Sequence, residues 1–134
     1  MSKKVNIAKN LQKLIMVVEY EPFIQSSLIS SLGNDYNIIY KNNGPEALMY
    51  LNETGIPDLV LLDMEIPGLN GRVFVRRIKL HPKHNKIPVI LISSVNSRLI
   101  INSFQKLGVV DYVVKPFETS QLADKIIRIL NTPK

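Results

Sequence analysis

The sequence predicts an α/β domain in which a parallel β-sheet is covered by helices on both faces. Three observations carry that prediction. Short apolar or β-branched runs alternate five times with longer segments of helical period, the pattern of repeated βα units. The runs are continuously apolar rather than alternating, as strands buried on both faces must be. The chain has 134 residues, 46% of them hydrophobic, which is the size of one domain with a substantial core.

Each element follows from local chemistry. Leu14-Ile15-Met16-Val17-Val18 reads as the first strand. Pro22 suits a first helical position, where its missing N–H costs nothing, and Phe23, Ile24, Leu28, Ile29 and Leu32 form an apolar stripe that stops at Gly33. Asn37-Ile38-Ile39-Tyr40 is the second strand. Asn43-Gly44-Pro45 opens a helix in which Ala47, Leu48 and Leu51 face inward, and Gly55 closes it. Asp58 to Leu62 is the third strand, and the helix after Asn70 uses Val73, Phe74 and Ile78. Ile87 to Ile92 is the fourth strand, with Pro88 tolerated at its start. A helix from about Asn96 presents Leu99, Ile100, Phe104 and Leu107, and Gly108 ends it as a left-handed cap. Val109 to Val114 is the fifth strand, and the last helix buries Leu122, Ile126, Ile127 and Leu130. Residues 1–12 read as a basic N-terminal tail and residues 131–134 as a C-terminal tail, around a domain of residues 13–130.

Composition narrows the function. There is no cysteine, so a disulfide framework and a thiolate metal site are excluded, which suits a reducing cytoplasm. The N-terminal lysines are not followed by the apolar stretch of a secretory signal, and no apolar run approaches a membrane span. The expectation is a cytoplasmic protein without a membrane partner. The net charge of +6 is uneven: no acidic residue lies between Ile66 and Val110, where Arg72, Arg76, Arg77, Lys79, Lys83, Lys86, Arg98 and Lys106 all fall. No aromatic residues interleave with these cations as single-strand nucleic-acid binding would favour. The expectation is therefore a solvated basic face rather than a nucleic-acid site.

Candidates for chemistry stand at the carboxyl ends of the strands, where an open parallel sheet binds its ligands. The first strand ends in Glu19-Tyr20-Glu21, the third in Asp63, the fourth in Ser93-Ser94, and the fifth in Lys115 before Pro116. Taken singly, each has an ordinary reading: Asp63 or Ser93 caps a helix, Lys115 is solvated, Glu19 sits on a loop. Together they put carboxylates, a hydroxyl and an ammonium at one sheet edge. A carboxylate there can act as a nucleophile that forms an acyl phosphate. The incoming charge would be met by a cation, a hydroxyl donor and a divalent metal. Lys115 and Ser93 supply the first two, and carboxylates of the first loop could hold Mg²⁺, a hard cation that prefers oxygen.

These segments resemble the receiver domain of bacterial two-component response regulators, over residues 13–130. Ile15-Met16-Val17-Val18-Glu19-Tyr20-Glu21-Pro22 is similar to the family's first strand and acidic loop. Asp58-Leu59-Val60-Leu61-Leu62-Asp63 with Met64-Glu65-Ile66-Pro67-Gly68 is similar to its phospho-acceptor segment. Pro88 to Ser93 is similar to the strand of the switch hydroxyl, and Gly108 to Phe117 to the lysine motif. The resemblance implies a flavodoxin-like, doubly wound (βα)5 sheet in strand order 2-1-3-4-5. It implies that Asp63 accepts a phosphoryl group from a histidine kinase or phosphotransfer protein. Lys115, with a cis bond to Pro116, and Ser93 would contact the phosphoryl group, and Tyr112 would move inward with Ser93. Mg²⁺ would be held by Glu19, Asp63 and the backbone carbonyl of Glu65.

The chain departs from the family at one point. The second acid of the usual pair is Tyr20, and a phenol that keeps its proton at neutral pH is a poor metal ligand. The expectation is weakened Mg²⁺ binding. Two compensations are open: direct coordination by Glu19, or a Glu65 carboxylate turned toward the cleft rather than solvated. The alternative function is a pseudo-receiver, an interaction module that works without phosphorylation. A small-substrate phosphatase using Asp63 is a third reading, but the short chain offers no cap or substrate pocket for it. With the sequence ending at Lys134 and no DNA-binding domain following, output is expected by protein contact. The face of the fourth helix, fifth strand and fifth helix would carry it, through Arg98, Ile101, Asn102, Gln105 and Tyr112, to a protein target or to a second copy in a homodimer.

Overall fold

The computed structural model describes residues 13–132. The tail of residues 1–12, and Pro133 and Lys134 of the C-terminal tail, lie outside the described residues. The strands are β1 (Leu14–Val18), β2 (Asn37–Lys41), β3 (Leu59–Asp63), β4 (Val89–Ser93) and β5 (Asp111–Val114). They alternate with α1 (Pro22–Leu32), α2 (Gly44–Glu53), α3 (Gly71–Leu80), α4 (Arg98–Leu107) and α5 (Thr119–Leu130). All pairings are parallel and the order is β2-β1-β3-β4-β5, the flavodoxin-like arrangement. The chain leaves β1 for one neighbour, β2, and then crosses back to pair β3 on β1's other side. The crevice between the carboxyl ends of β1 and β3 is therefore the topological switch point.

Side chains alternate across each strand, so one strand feeds two cores. Met16, Val18, Val60, Leu62 and Leu91 pack with Ala47, Phe74, Ile78 and Phe104 of α2, α3 and α4. Ile15, Val17, Leu59, Leu61, Ile90 and Ile92 pack with Leu28, Leu32, Leu122 and Ile126 of α1 and α5. Every residue of β3 and β4 is buried, as the continuously apolar runs require. Asn43, Asn70 and Ser97 cap α2, α3 and α4 by accepting backbone N–H bonds through their side-chain oxygens. Gly108 ends α4 with a φ of +113°, where a Cβ would also press within 3.0 Å of the Lys79 stem.

Several inward assignments are corrected. Of the α1 stripe, Leu28 and Leu32 are buried as expected, but Phe23 and Ile29 face solvent, Phe23 at 79% exposure. In α3, Val73 is exposed and Val75 is buried; in α5, Ile127 is exposed beside the buried Ile126. The largest correction falls on α4. Leu99, expected inside, is 83% exposed, whereas Ile101, expected on an outer face, is 2% exposed. The physical reason is that Leu99-Ile100-Ile101 are apolar in succession, while Phe104 and Leu107 fit either helical phase. The run alone cannot choose the buried stripe, and the position of the sheet beneath α4 does.

Candidate functional site

Strand geometry delivers the site residues. Asp63 is the last residue of β3 and is buried, although it is a carboxylate. Its Oδ1 accepts the N–H of Glu65 at 2.8 Å, so the turn after β3 orients the group. Glu19 follows β1 and is also fully buried. Its N–H continues the ladder to the Lys41 carbonyl at 3.1 Å. Gln25 of α1 donates its side-chain amide to the Glu19 carbonyl and to Asn42 Oδ1, tying the acidic loop to the helix it precedes. Lys115 follows β5; its N–H donates to the Ser93 carbonyl at 2.7 Å, and the Lys115–Pro116 bond is cis.

These ends converge on one ammonium. Lys115 Nζ lies 3.0 Å from Asp63 Oδ2, 2.8 Å from Glu21 Oε1 and 3.3 Å from Glu19 Oε2. The last contact is at ion-pairing distance without hydrogen-bond geometry, and Glu19 Oε2 has no hydrogen-bond partner. Glu19 Oε1 is held by the N–H of Glu21 at 3.1 Å. Burial, reinforced by the hydrogen bond and charge of Asp63, pushes the Glu19 carboxyl up to about 7, against the opposing Glu21 N–H and Lys115. For Lys115, burial acts downward, but hydrogen bonds to Glu21 and Asp63 and the charges of Asp63 and Glu19 more than reverse it, so its proton is held above the usual lysine range.

The carboxylates of Glu19, Glu21 and Asp63 have ligand oxygens within 4.8 Å of one another. Three carboxyl groups share one ammonium, and one buried oxygen, Glu19 Oε2, accepts no hydrogen bond. That donor set fits a hard divalent cation such as Mg²⁺. Glu65 takes no part through its carboxylate, which accepts the Ser94 hydroxyl at 2.7 Å; of the two compensations open at Tyr20, the turning of Glu65 into the cleft is corrected. Tyr20 itself is exposed.

Ser93 ends β4, beside β3, and is buried. Its Oγ accepts the Val95 N–H at 2.9 Å and donates to the Val95 carbonyl at 3.1 Å, so it is turned to its own loop rather than to Asp63. Tyr112 in β5 is partly buried against the α3–α4 side of the core, with Lys125 Nζ 6.0 Å from its ring centre. Arg98, Asn102 and Gln105 are exposed on α4. Ile101 is not among them: it belongs to the core, and Leu99 is the bare apolar group of that helix.

Glu21 enters the sequence reading only as one of the carboxylates of the first loop and is not named among the ligands. A signal for it existed: the acid-Tyr-acid spacing before Pro22 restores, one residue later, the charge that Tyr20 removes.

With this geometry in view, comparison with known proteins is direct. A family described as "Response regulator receiver domain" matches residues 15–127. The cyclic di-GMP phosphodiesterase response regulator RpfG of Xanthomonas campestris is 35% identical over 92 residues, 69% of this chain and 24% of that protein. This chain thus spans about a quarter of RpfG's length. A chemotaxis protein CheY homolog of Campylobacter jejuni is 26% identical over 81% of this chain and 83% of its own. Among solved structures, the phosphorylated cyanobacterial phytochrome response regulator RcpA aligns with a TM-score of 0.78 and 27% identity, covering 91% of this chain and 96% of that one. A response regulator from Chloroflexus aurantiacus reaches 0.83 at 24% identity over 90% and 98%, a likeness of fold. Among the described residues no helix is long and apolar enough to cross a membrane.

Proposed function

Because this chain belongs to the response regulator receiver family, we propose that Asp63 accepts a phosphoryl group from a histidine kinase or phosphotransfer protein and that the change is read by protein contact. The observation that carries the reading is a buried carboxylate at the switch point, paired at 3.0 Å with Lys115 and oriented by the Glu65 N–H. An Asp63 oxygen attacks phosphorus as the P–N bond of a phosphohistidine breaks. The electron pair of that bond stays on the imidazole nitrogen, which takes a proton from solvent, and an acyl phosphate remains on Asp63. Lys115, already beside the nucleophile, exchanges a carboxylate for a phosphoryl oxygen.

Glu19 and Asp63, with the backbone carbonyl of Glu65, would hold Mg²⁺, which supplies charge neutralisation for the phosphoryl oxygens. Ser93 turns from the Val95 loop to donate to the new phosphoryl group. That motion lets Tyr112 move inward and reshapes the face of α4, β5 and α5. On that face Arg98, Leu99, Asn102 and Gln105 meet the protein target, with Leu99 replacing Ile101 as the apolar contact. A second copy of the chain is the other candidate occupant, distinguished by a change in oligomeric state on phosphorylation.

The test is intact mass after incubation with a small phosphodonor, such as acetyl phosphate, and Mg²⁺. Addition of one phosphoryl group to the wild type and none to Asp63→Asn is the expected result; no addition to the wild type sinks the reading. A second reading has one observation in its favour. Tyr20 lacks the acid of the usual pair, which suits an interaction module that works without phosphorylation. Its signature is the absence of Mg²⁺-dependent NMR shifts near Asp63.

A further inference from the structure

We infer that Glu21 is the carboxylate that completes the divalent-cation site in this chain, doing from one residue later what Tyr20 cannot do. The inference rests on the receiver reading above and deepens it. Glu21 Oε1 reaches Lys115 at 2.8 Å, and its carboxylate lies within 4.8 Å of ligand oxygens from both Glu19 and Asp63. It occupies the N-cap position of α1, yet its side chain accepts no capping hydrogen bond. A negative charge there is favoured by the free N–H groups of the first helical turn. This one turns away from them, into the cleft.

A second observation is the burial of one carboxyl group aimed into the cleft. Glu19 Oε2 is fully buried, accepts no hydrogen bond and meets only the 3.3 Å ion-pair contact of Lys115, and a buried oxygen without a hydrogen bond carries a desolvation cost that a bound cation removes. The Glu21 N–H fixes the other oxygen of the same carboxylate at 3.1 Å. The one residue thus aims Glu19 through its backbone and adds a donor through its side chain. The groups also differ in exposure. The side chains of Glu19 and Asp63 are 0% and 2% exposed, whereas that of Glu21 is 44% exposed. Two of the carboxylates are enclosed by packing and the third stands at the mouth of the cleft.

Lys115 touches all three carboxylates and so sits as a monovalent stand-in among oxygens suited to a divalent ion. Binding of the ion takes Glu21 from Lys115. The ammonium is then free of its closest partner while it keeps its place beside Asp63, ready for a phosphoryl oxygen.

The full chain and its Glu21→Gln variant are titrated with MgCl₂, followed by amide shifts of residues 63–65 and by calorimetry. Removing the charge of a ligand is expected to weaken Mg²⁺ binding about tenfold or more. Tyr20→Asp added to Glu21→Gln, which moves the acid back to the preceding position, is expected to recover most of the loss. Unchanged spectra outside the site show that the variants fold. Wild-type binding with equal or tighter binding in Glu21→Gln overturns the role of Glu21 and leaves the receiver reading intact. No Mg²⁺ binding by the wild type overturns both.

Discussion

The two edges of the sheet bury polar groups to opposite effect. At the amino edge, His84 is a buried residue of the loop between α3 and β4. Its Nε2–H donates to the Leu51 carbonyl at 3.1 Å, and its ring stacks on His81 with centroids 3.9 Å apart. Burial, then the neighbouring His81, lowers its tendency to bind a proton, against the Leu51 bond. Lys79, also lowered by burial, donates to the Ile87 carbonyl at 2.8 Å. His84 and Lys79 are thus each matched to a backbone carbonyl. At the carboxyl edge, Glu19 and Asp63 face each other and Glu21 across one ammonium, with an oxygen left over. A buried polar group matched to the backbone holds a fold together; one set against its own kind holds a place for a ligand.

The sharpest way to break this contrast is chemical. Asp63→Asn should abolish phosphoryl incorporation from a small phosphodonor, measured by intact mass, while His84→Gln at the other edge should leave it within about twofold. Incorporation into Asp63→Asn would place the acceptor elsewhere.

The same distinction between covered and bare groups applies to α4. Ile101→Ala should cost about 2–5 kcal/mol by denaturant unfolding, as expected for a buried aliphatic side chain. Leu99→Ala should stay within about 0.5 kcal/mol, as for an exposed site. Similar losses for both would undo the assignment of Leu99 to the outer face.

Stability against pH separates the edges by sign. The Glu19 carboxyl stands at about 7 in the fold against 4.5 for the free group, so the folded state binds the extra proton. Its contribution to stability is full below 4.5 and is lost as the pH rises through about 7. In EDTA at pH 8, Glu19→Gln should therefore stabilise the protein, by roughly 1–3 kcal/mol, and flatten that part of the pH profile. His84 runs the other way. Its folded-state value is lowered from 6.5, so the unfolded chain binds protons first and stability is lost as the pH falls below 6.5. His84→Gln should remove that acid-side loss and cost about 1 kcal/mol at pH 8, where the neutral ring is satisfied. Equal pH profiles in wild type and variant would show that the ring does not carry the effect.

The sequence by itself determined the alternation of five strands and five helices, because continuous apolar runs and helix-start residues such as Pro22, Asn43 and Asn70 are local signals. The strand order came from motif resemblance rather than periodicity, since no local pattern states which strands pair. The candidate site residues were nominated for a topological reason: polar residues directly after apolar strands must emerge at one edge of a parallel sheet. Tertiary structure decided what depends on rotation and reach. It turned α4 so that Ile101 is covered and Leu99 is bare, a choice that three successive apolar residues leave undetermined. It brought Glu21 into the carboxylate cluster and tied Glu65 to Ser94, because side-chain direction in a loop is set by partners distant in the chain, here Lys115 and the turn after β4. Local periodicity registers which residues are apolar or acidic; only packing fixes which of several nearby carboxylates joins the cleft, and which aliphatic group of an apolar run faces in.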